Sequence, residues 1–330
     1  MARCRVYLFT YKRNQMFTRA VRSLLGQHFT DWVCEVHNDC PGDPFPAAFI
    51  ASLADDRFIM NDHRENLGGV ESFNLAFAGC SEAYASMLED DNWWEPQFLS
   101  EMIAIMDSKP LVKVAWSNMR LWKEGEDGNW TDTKTFVWAE GRSRLFHWPQ
   151  ARQAMSALHS TGAMLFRGPH ASNYLVPPIV LINAVELIRE RSFEHPIYLE
   201  AKPLANFAIT LATTRSPDAY SWIANQVMML ASFIAASPDK DKTTKETLAY
   251  YREQRPIPTP NFFLANIFIL KDRRLYKHFN VSDWLQSGKW LLRHGHKLNY
   301  IGRYLALQTD TYRFLLTQTR QRYQQAEKNT

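Results

Sequence analysis

Short apolar runs alternate with amphipathic stretches through the first 120 residues, and this constrains the fold more than any other feature of the sequence. Cys4–Thr10, Trp32–Val36, Arg57–Met60, Ala83–Leu88 and Val112–Ser117 read as strands. Between them, Asn14–Gly26, Phe45–Leu53, Gly69–Gly79 and a segment from Glu95-Pro96 through Met106 carry helical spacing. Within the first of these, Phe17, Ala20, Val21, Leu24 and Leu25 fall on one face, with Gly26 as a stop. Strands that alternate with helices predict a mostly parallel sheet with right-handed crossovers, an α/β fold. Beyond it, Asn118–Trp148 reads as turn-rich and aromatic. His159–Arg167 and Ile197–Ala212 read as further strands, Leu181–Arg191 as a helix, and Ser216-Pro217 as the start of a helix running to Ala236.

In open α/β sheets, ligands bind beyond the carboxyl ends of the strands. Four polar clusters stand at those ends: Thr10-Tyr11-Lys12, Asn38-Asp39, Asp62-His63-Arg64 and Glu89-Asp90-Asp91. Three consecutive acids repel one another unless a cation or a set of donors offsets them. Oxygen donors at a strand end suit Mg2+ or Mn2+, which take one or two carboxylates and then substrate phosphates. A solvated acidic turn before a helix is the other reading of the same residues.

The residues around that run resemble family 2 glycosyltransferases. Leu88-Glu89-Asp90-Asp91-Asn92-Trp93-Trp94-Glu95-Pro96 is similar to that family's Asp-x-Asp and Trp-x-Pro segment. Arg64-Glu65-Asn66-Leu67-Gly68-Gly69 with Asn74, Phe9–Asn14 and Val36-His37-Asn38-Asp39 resemble three upstream motifs, in family order. The match covers about residues 3–110 and weakens to about 215. It implies a type A glycosyltransferase fold, Rossmann-like with a mixed, mostly parallel sheet flanked by helices. It also implies an inverting transferase that takes a sugar from a nucleotide-diphospho-sugar, UDP or dTDP, to an acceptor hydroxyl.

Carried across, Thr10, Tyr11, Arg13, Asp39, Arg64, Asn66 and Asp90 would bind the donor, Tyr11 offering a stacking face and Asp39 an acceptor to the base. Asp91 and Glu89 would hold Mn2+ or Mg2+, Glu89 being a departure from the family's Asp. Trp94, Thr161 and Gly162 would face the acceptor, a glycan or lipid-linked molecule, with bacterial surface glycan synthesis the process implied. The family's base is an acid in a Glu-Asp pair, and Ile182-Asn183 stands at that spacing instead. Glu186 is the nearest acid one turn on, at i+3. Glu190 or Glu194, or binding of the donor without efficient transfer, as a degenerate or scaffold protein, are the alternatives. His159 and His170 are further titratable residues near this region.

Composition excludes several other classes. With 46% hydrophobic and 22% charged residues among 330, the chain is neither disordered nor fibrous. No Gly-x-Gly-x-x-Gly follows an early strand, which argues against dinucleotide oxidoreduction. Cys4, Cys34, Cys40 and Cys80 fit neither a zinc site nor a redox pair and are expected as free thiols in a reducing cytosol. No stretch reaches the roughly 18 uncharged apolar residues of a membrane span. A net charge of +4 conceals an asymmetry: residues 239–330 hold 17 Lys or Arg against 8 Asp or Glu, so they carry +9 and the first 238 carry −5. The division expected is 1–110 for the donor, 111–238 for the acceptor half, and 239–330 as a basic, mainly helical appendage, with Ser237-Pro238-Asp239-Lys240 as the boundary. That appendage either packs its apolar stripe on the body or meets anionic lipid, placing the protein in the cytoplasm or at the inner face of the plasma membrane. No nucleic-acid motif accompanies the charge.

Overall fold

The computed structural model describes residues 2–139, 141–157, 161–211, 218–254 and 259–328. The chain divides into two compact units. The first comprises residues 1–147, 159–175 and 193–214; the second comprises 148–158, 176–192 and 215–330.

The first unit is built on one ten-stranded sheet. Its strands are β1 (Cys4–Thr10), β2 (Trp32–Asn38), β3 (Phe58–Asp62), β4 (Tyr84–Glu89), β5 (Trp93–Trp94), β6 (Val114–Glu124), β7 (Trp130–Phe136), β8 (Arg144–Phe146), β9 (Met164–Arg167) and β10 (Ile197–Ile209). They lie in the order β3-β2-β1-β4-β9-β6-β10-β5, with β7 paired to β6 and β8 to β10. The β3-β2-β1-β4 half is parallel throughout. β9 runs antiparallel between β4 and β6, which makes the sheet mixed. Helices α1 (Asn14–Leu25), α2 (Phe45–Leu53), α3 (Gly69–Leu75) and α4 (Phe98–Ser108) supply the crossovers. β1 is buried along almost its whole length, as expected for a parallel strand covered on both faces. In α1 the buried residues are Phe17, Ala20, Val21 and Leu24, the stripe that the 3.6-residue period predicts.

Three expectations change. α4 begins at Phe98 rather than beside Pro96, because Glu95 N–H donates to Leu204 O and holds Trp93–Trp94 as an edge strand on β10. The aromatic stretch after Asn118 is not mainly turns. β6 continues to Glu124 and folds back through Gly125–Asn129 into β7, with Gly128 at φ +75°. Period-2 alternation is weak there because consecutive residues in the first half of β6 are buried, so both faces of the strand are covered. Thr161–Ala163 forms a 3-10 turn before β9 rather than strand, and His159 and Ser160 lie outside the described residues.

The second unit is helical: α5 (Val185–Arg189), α6 (Ala219–Ala236), α7 (Lys240–Arg252), α8 (Thr259–Ala265), α9 (Val281–His294), α10 (Leu298–Leu307) and α11 (Thr309–Lys328). α5 is shorter than the expected Leu181–Arg191, with 3-10 turns on both sides, and Ser216 and Pro217 lie outside the described residues. α6 has the length and mean hydropathy of a membrane span, yet 61% of it is buried within the fold. Its Ala224, Val227, Leu230, Ala231 and Ile234 pack with Leu248, Tyr251, Phe262, Leu264, Ile301 and Tyr323. The core thus runs across Ser237–Lys240, where Asp239 caps α7 by accepting the Lys242 N–H at 2.9 Å. Buried Arg191 donates to Gln153 O and Thr319 Oγ1, and its pKa is pulled down to about 10 by burial.

Candidate functional site

The carboxyl ends of β2, β1 and β4 lie side by side, so Asp39, Thr10 and Asp90 come together although 80 residues separate the last two. Asp90 is 6% exposed. Its N–H donates to Phe9 O at 3.1 Å. Its Oδ2 accepts from the Thr10 hydroxyl at 3.0 Å and the Tyr11 N–H at 3.1 Å. Arg13, at the start of α1, donates to Asp91 Oδ2 at 2.6 Å and lies 3.5 Å from Asp90 Oδ1. Burial pushes both carboxyls upward; the Asp91 charge raises Asp90 further, and Arg13 opposes the rise in both. Two adjacent buried carboxylates repel one another; Arg13 offsets part of that repulsion, and Arg19 adds a second positive charge beside Asp91.

Asp39 follows β2, 6% exposed. Oδ1 accepts from the Leu67 N–H at 2.8 Å and lies 3.1 Å from His63 Nδ1; Oδ2 accepts the Gly68 N–H at 3.1 Å. Asn66 Oδ1 takes the same Gly68 N–H at 2.8 Å. Gly68 sits at φ +77°, a backbone region that a Cβ disfavours. The loop after β3 is therefore tied to the end of β2, while Arg64 on that loop is exposed. The Tyr11 ring is 43% exposed, with the Lys12 ammonium 4.8 Å from its centroid.

Glu89, Asn92 and Gly162 meet on the other side of the acidic turn. Asn92 Nδ2 donates to Glu89 Oε2, and its Oδ1 accepts the Ala208 N–H at 3.1 Å. A Cβ on Gly162 would stand 2.9 Å from Asn92 Nδ2 and 3.0 Å from Glu89 Oε2. The buried Thr161 and Gly162 thus abut the acids. Trp94 needs correction. It is 2% exposed, stacks on Phe98 at 4.3 Å, and donates its indole N–H to Gly162 O at 2.7 Å. With both faces covered it is a pillar under the turn and offers nothing to an acceptor.

Sequence reasoning passed over three contributors. Arg19 on α1 donates to Asp91 O at 2.8 Å and stacks on Trp93 and Trp130 at 3.8 and 4.2 Å; burial pulls its pKa down to about 10. Asn92, within the acidic motif, ties Glu89 to β10. His37 Nδ1 lies 3.1 Å from His63 Nε2, extending the Asp39–His63 contact inward. Only the strand-end position of His63 signalled any of this. Glu186 lies on α5 in the second unit, where its charge faces the buried Arg189. Among the described residues no group of three or more His, Cys, Asp or Glu is placed to hold a metal ion.

The family profile for glycosyl transferase family 2 matches residues 6–171, half of the chain. The chain belongs to glycosyl transferase family 2. Over 100 residues the chain is 27% identical to the putative colanic acid biosynthesis glycosyl transferase WcaA of Escherichia coli (strain K12). That stretch is 30% of this chain and 36% of WcaA, about a third of the relative's length. Among solved structures, S. aureus TarS is similar at a TM-score of 0.58 and 13% identity, over 96% of this chain and 55% of that one. TarS 1–349 in complex with UDP-GlcNAc is similar at 0.57 and 12% identity, over 97% and 92%. The corresponding UDP complex gives the same score over 99% and 92%. At such identities the likeness is one of fold, the type A glycosyltransferase fold.

Proposed function

We propose that this glycosyltransferase moves a sugar from a UDP- or dTDP-sugar to an acceptor hydroxyl with inversion, in the synthesis of a bacterial surface glycan. The observation that carries the reading is the convergence of Asp39, Asp90 and Asp91 at the ends of β2 and β4, on either side of β1. Asp39 is a fixed, buried acceptor for a base N–H, and the open face of Tyr11 is a stacking surface beside it. Arg13 and Arg19 bring positive charge to the acidic turn, where a diphosphate would otherwise be repelled. The UDP and UDP-GlcNAc complexes of TarS make uridine the first nucleotide to test, and the WcaA likeness supports the glycan assignment.

The donor chemistry of the turn fits Mg2+ or Mn2+: hard carboxylate oxygens of adjacent acids at a strand end. Asp91 would hold the ion, the remaining ligands coming from diphosphate and water, and Glu89 would join them only by leaving Asn92 on the other side of the turn. Bound there, the cation would neutralise charge on the leaving diphosphate. Glu186 remains the base proposed for the acceptor hydroxyl, and Glu186→Gln should lower turnover while leaving donor affinity unchanged.

Isothermal titration with UDP, dTDP and GDP, with and without Mn2+, tests the reading in wild type and Asp91→Ala. One uridine or thymidine nucleotide should bind with metal-dependent affinity, and the substitution should abolish the metal dependence. Absence of binding by all three nucleotides would sink it.

A further inference from the structure

On α9, Val281, Leu285, Gly288 and Leu292 follow one another at i, i+4, i+7 and i+11, so they share one face. That face is open. Val281 is 76%, Leu285 59% and Leu292 90% exposed, and a Cβ on Gly288 would meet nothing within 4 Å. On α10, Tyr300, Arg303 and Leu307 repeat the pattern, with Tyr300 43% and Leu307 73% exposed.

The charges along these helices have one sign. Lys289 and Arg293, one turn apart, flank the α9 stripe and are exposed, as is Arg303; Lys297 lies between the two helices. Asp283 is the only acid from residue 281 to 307. It is fully buried, paired with Arg252 at 2.5 Å, and caps α9 through the Asn280 N–H at 2.9 Å. Within residues 281–307 no exposed acid offsets the four cations; from outside that segment, Asp218 accepts the Tyr300 hydroxyl at the α10 end of the face. Trp284, 45% exposed, turns its inner side to Phe263, Tyr276 and Phe279, which fastens α9 to its own unit while its apolar stripe faces outward.

We propose that the Val281–Leu285–Leu292 stripe with its flanking cations, continued by α10, docks this protein on an anionic lipid surface. Large exposed leucines beside lysine and arginine are the composition of an in-plane interfacial helix, apolar side in the acyl boundary and cations among the headgroups. A soluble polyanion would satisfy the cations but leave Leu292 in water. A second copy of the chain would satisfy Leu292, but a two-fold contact between like faces would bring Lys289 and Arg293 against their own images. An anionic bilayer satisfies both, and the cytoplasmic leaflet carries such lipids. This surface lies apart from the acidic turn in sequence and is independent of the donor reading.

Flotation of the full chain tests it, with vesicles of phosphatidylcholine alone and of phosphatidylcholine mixed with phosphatidylglycerol. Binding is expected to the mixed vesicles only, weakening as salt is raised. Lys289→Gln and Arg293→Gln should each lower the partition roughly fivefold. The pair Leu285→Asn and Leu292→Asn should abolish it with melting temperature unchanged. Equal recovery with both vesicle types, no recovery with either, or variants that float like wild type would overturn the proposal. So would a wild-type dimer in sedimentation equilibrium that the Leu292 substitution dissolves, since the stripe would then be a self-contact.

Discussion

Single side chains at the strand ends do two jobs at once, and Asp39 shows it most clearly. Its two oxygens gather two backbone N–H groups and His63, so the carboxylate that would receive a nucleobase also shapes the loop beside it. Removing an ionised acceptor from such a cluster costs about 1.5–3 kcal/mol per hydrogen bond. Asp39→Ala is therefore expected to weaken UDP affinity by tenfold or more, measured by titration calorimetry, and an unchanged affinity would remove Asp39 from the donor site. His63 holds Asp39 from one side only, so His63→Ala should give the same direction at smaller size. The residue types at these positions were legible in the sequence because polar clusters at strand ends are conspicuous among apolar runs. Their partners were not, because Arg19 and His37 reach the site only through the packing of α1 and the pairing of β2.

At the scale of elements, the acidic turn is held by what lies around it. Asn92 bridges Glu89 and the backbone of β10, Trp94 pins the turn to Gly162, and the 3-10 turn at Thr161–Ala163 passes so close that a Cβ at 162 would press on Asn92 and Glu89. Asn92 is buried and bonded at both ends, so it cannot swing away from an added methyl. Gly162→Ala should therefore cost about 1–3 kcal/mol of stability, as overpacking does, and lower turnover by shifting Glu89. A drop in melting temperature read beside donor turnover checks it; wild-type values for both would show that the contact is soft. Strand and helix positions in the first 110 residues follow the hydrophobic period closely, as α1 at Asn14–Leu25 shows. The period fails after Asn118, where aromatic clustering replaces alternation, and at Trp94, whose burial depends on β10, a strand a hundred residues away in sequence.

For the whole molecule, the decisive feature is that α6 shares its core with the helices that follow it. Eleven of its eighteen residues are buried, many against α7, α8, α10 and α11. A chain ending at Pro238 would leave that apolar helix without its cover. It is expected to give little soluble protein and to melt well below the full chain, because each large core side chain contributes about 1.5–3 kcal/mol when buried. Soluble yield and thermal melting of the two chains decide the matter; a truncated protein that stays soluble and melts like the full one would show the helices to be an appendage.

Local order was written in the sequence by itself: the strand-helix alternation, the acidic run and the basic bias of the last third follow from hydrophobic period and charge, which are properties of neighbouring residues. Tertiary structure alone decided which of those residues meet. It set Asp39 beside His63, turned Trp94 into a buried pillar and left Leu292 in the open. A helix period says that one face is apolar but not whether another element covers it, and only the long-range packing of the chain settles that.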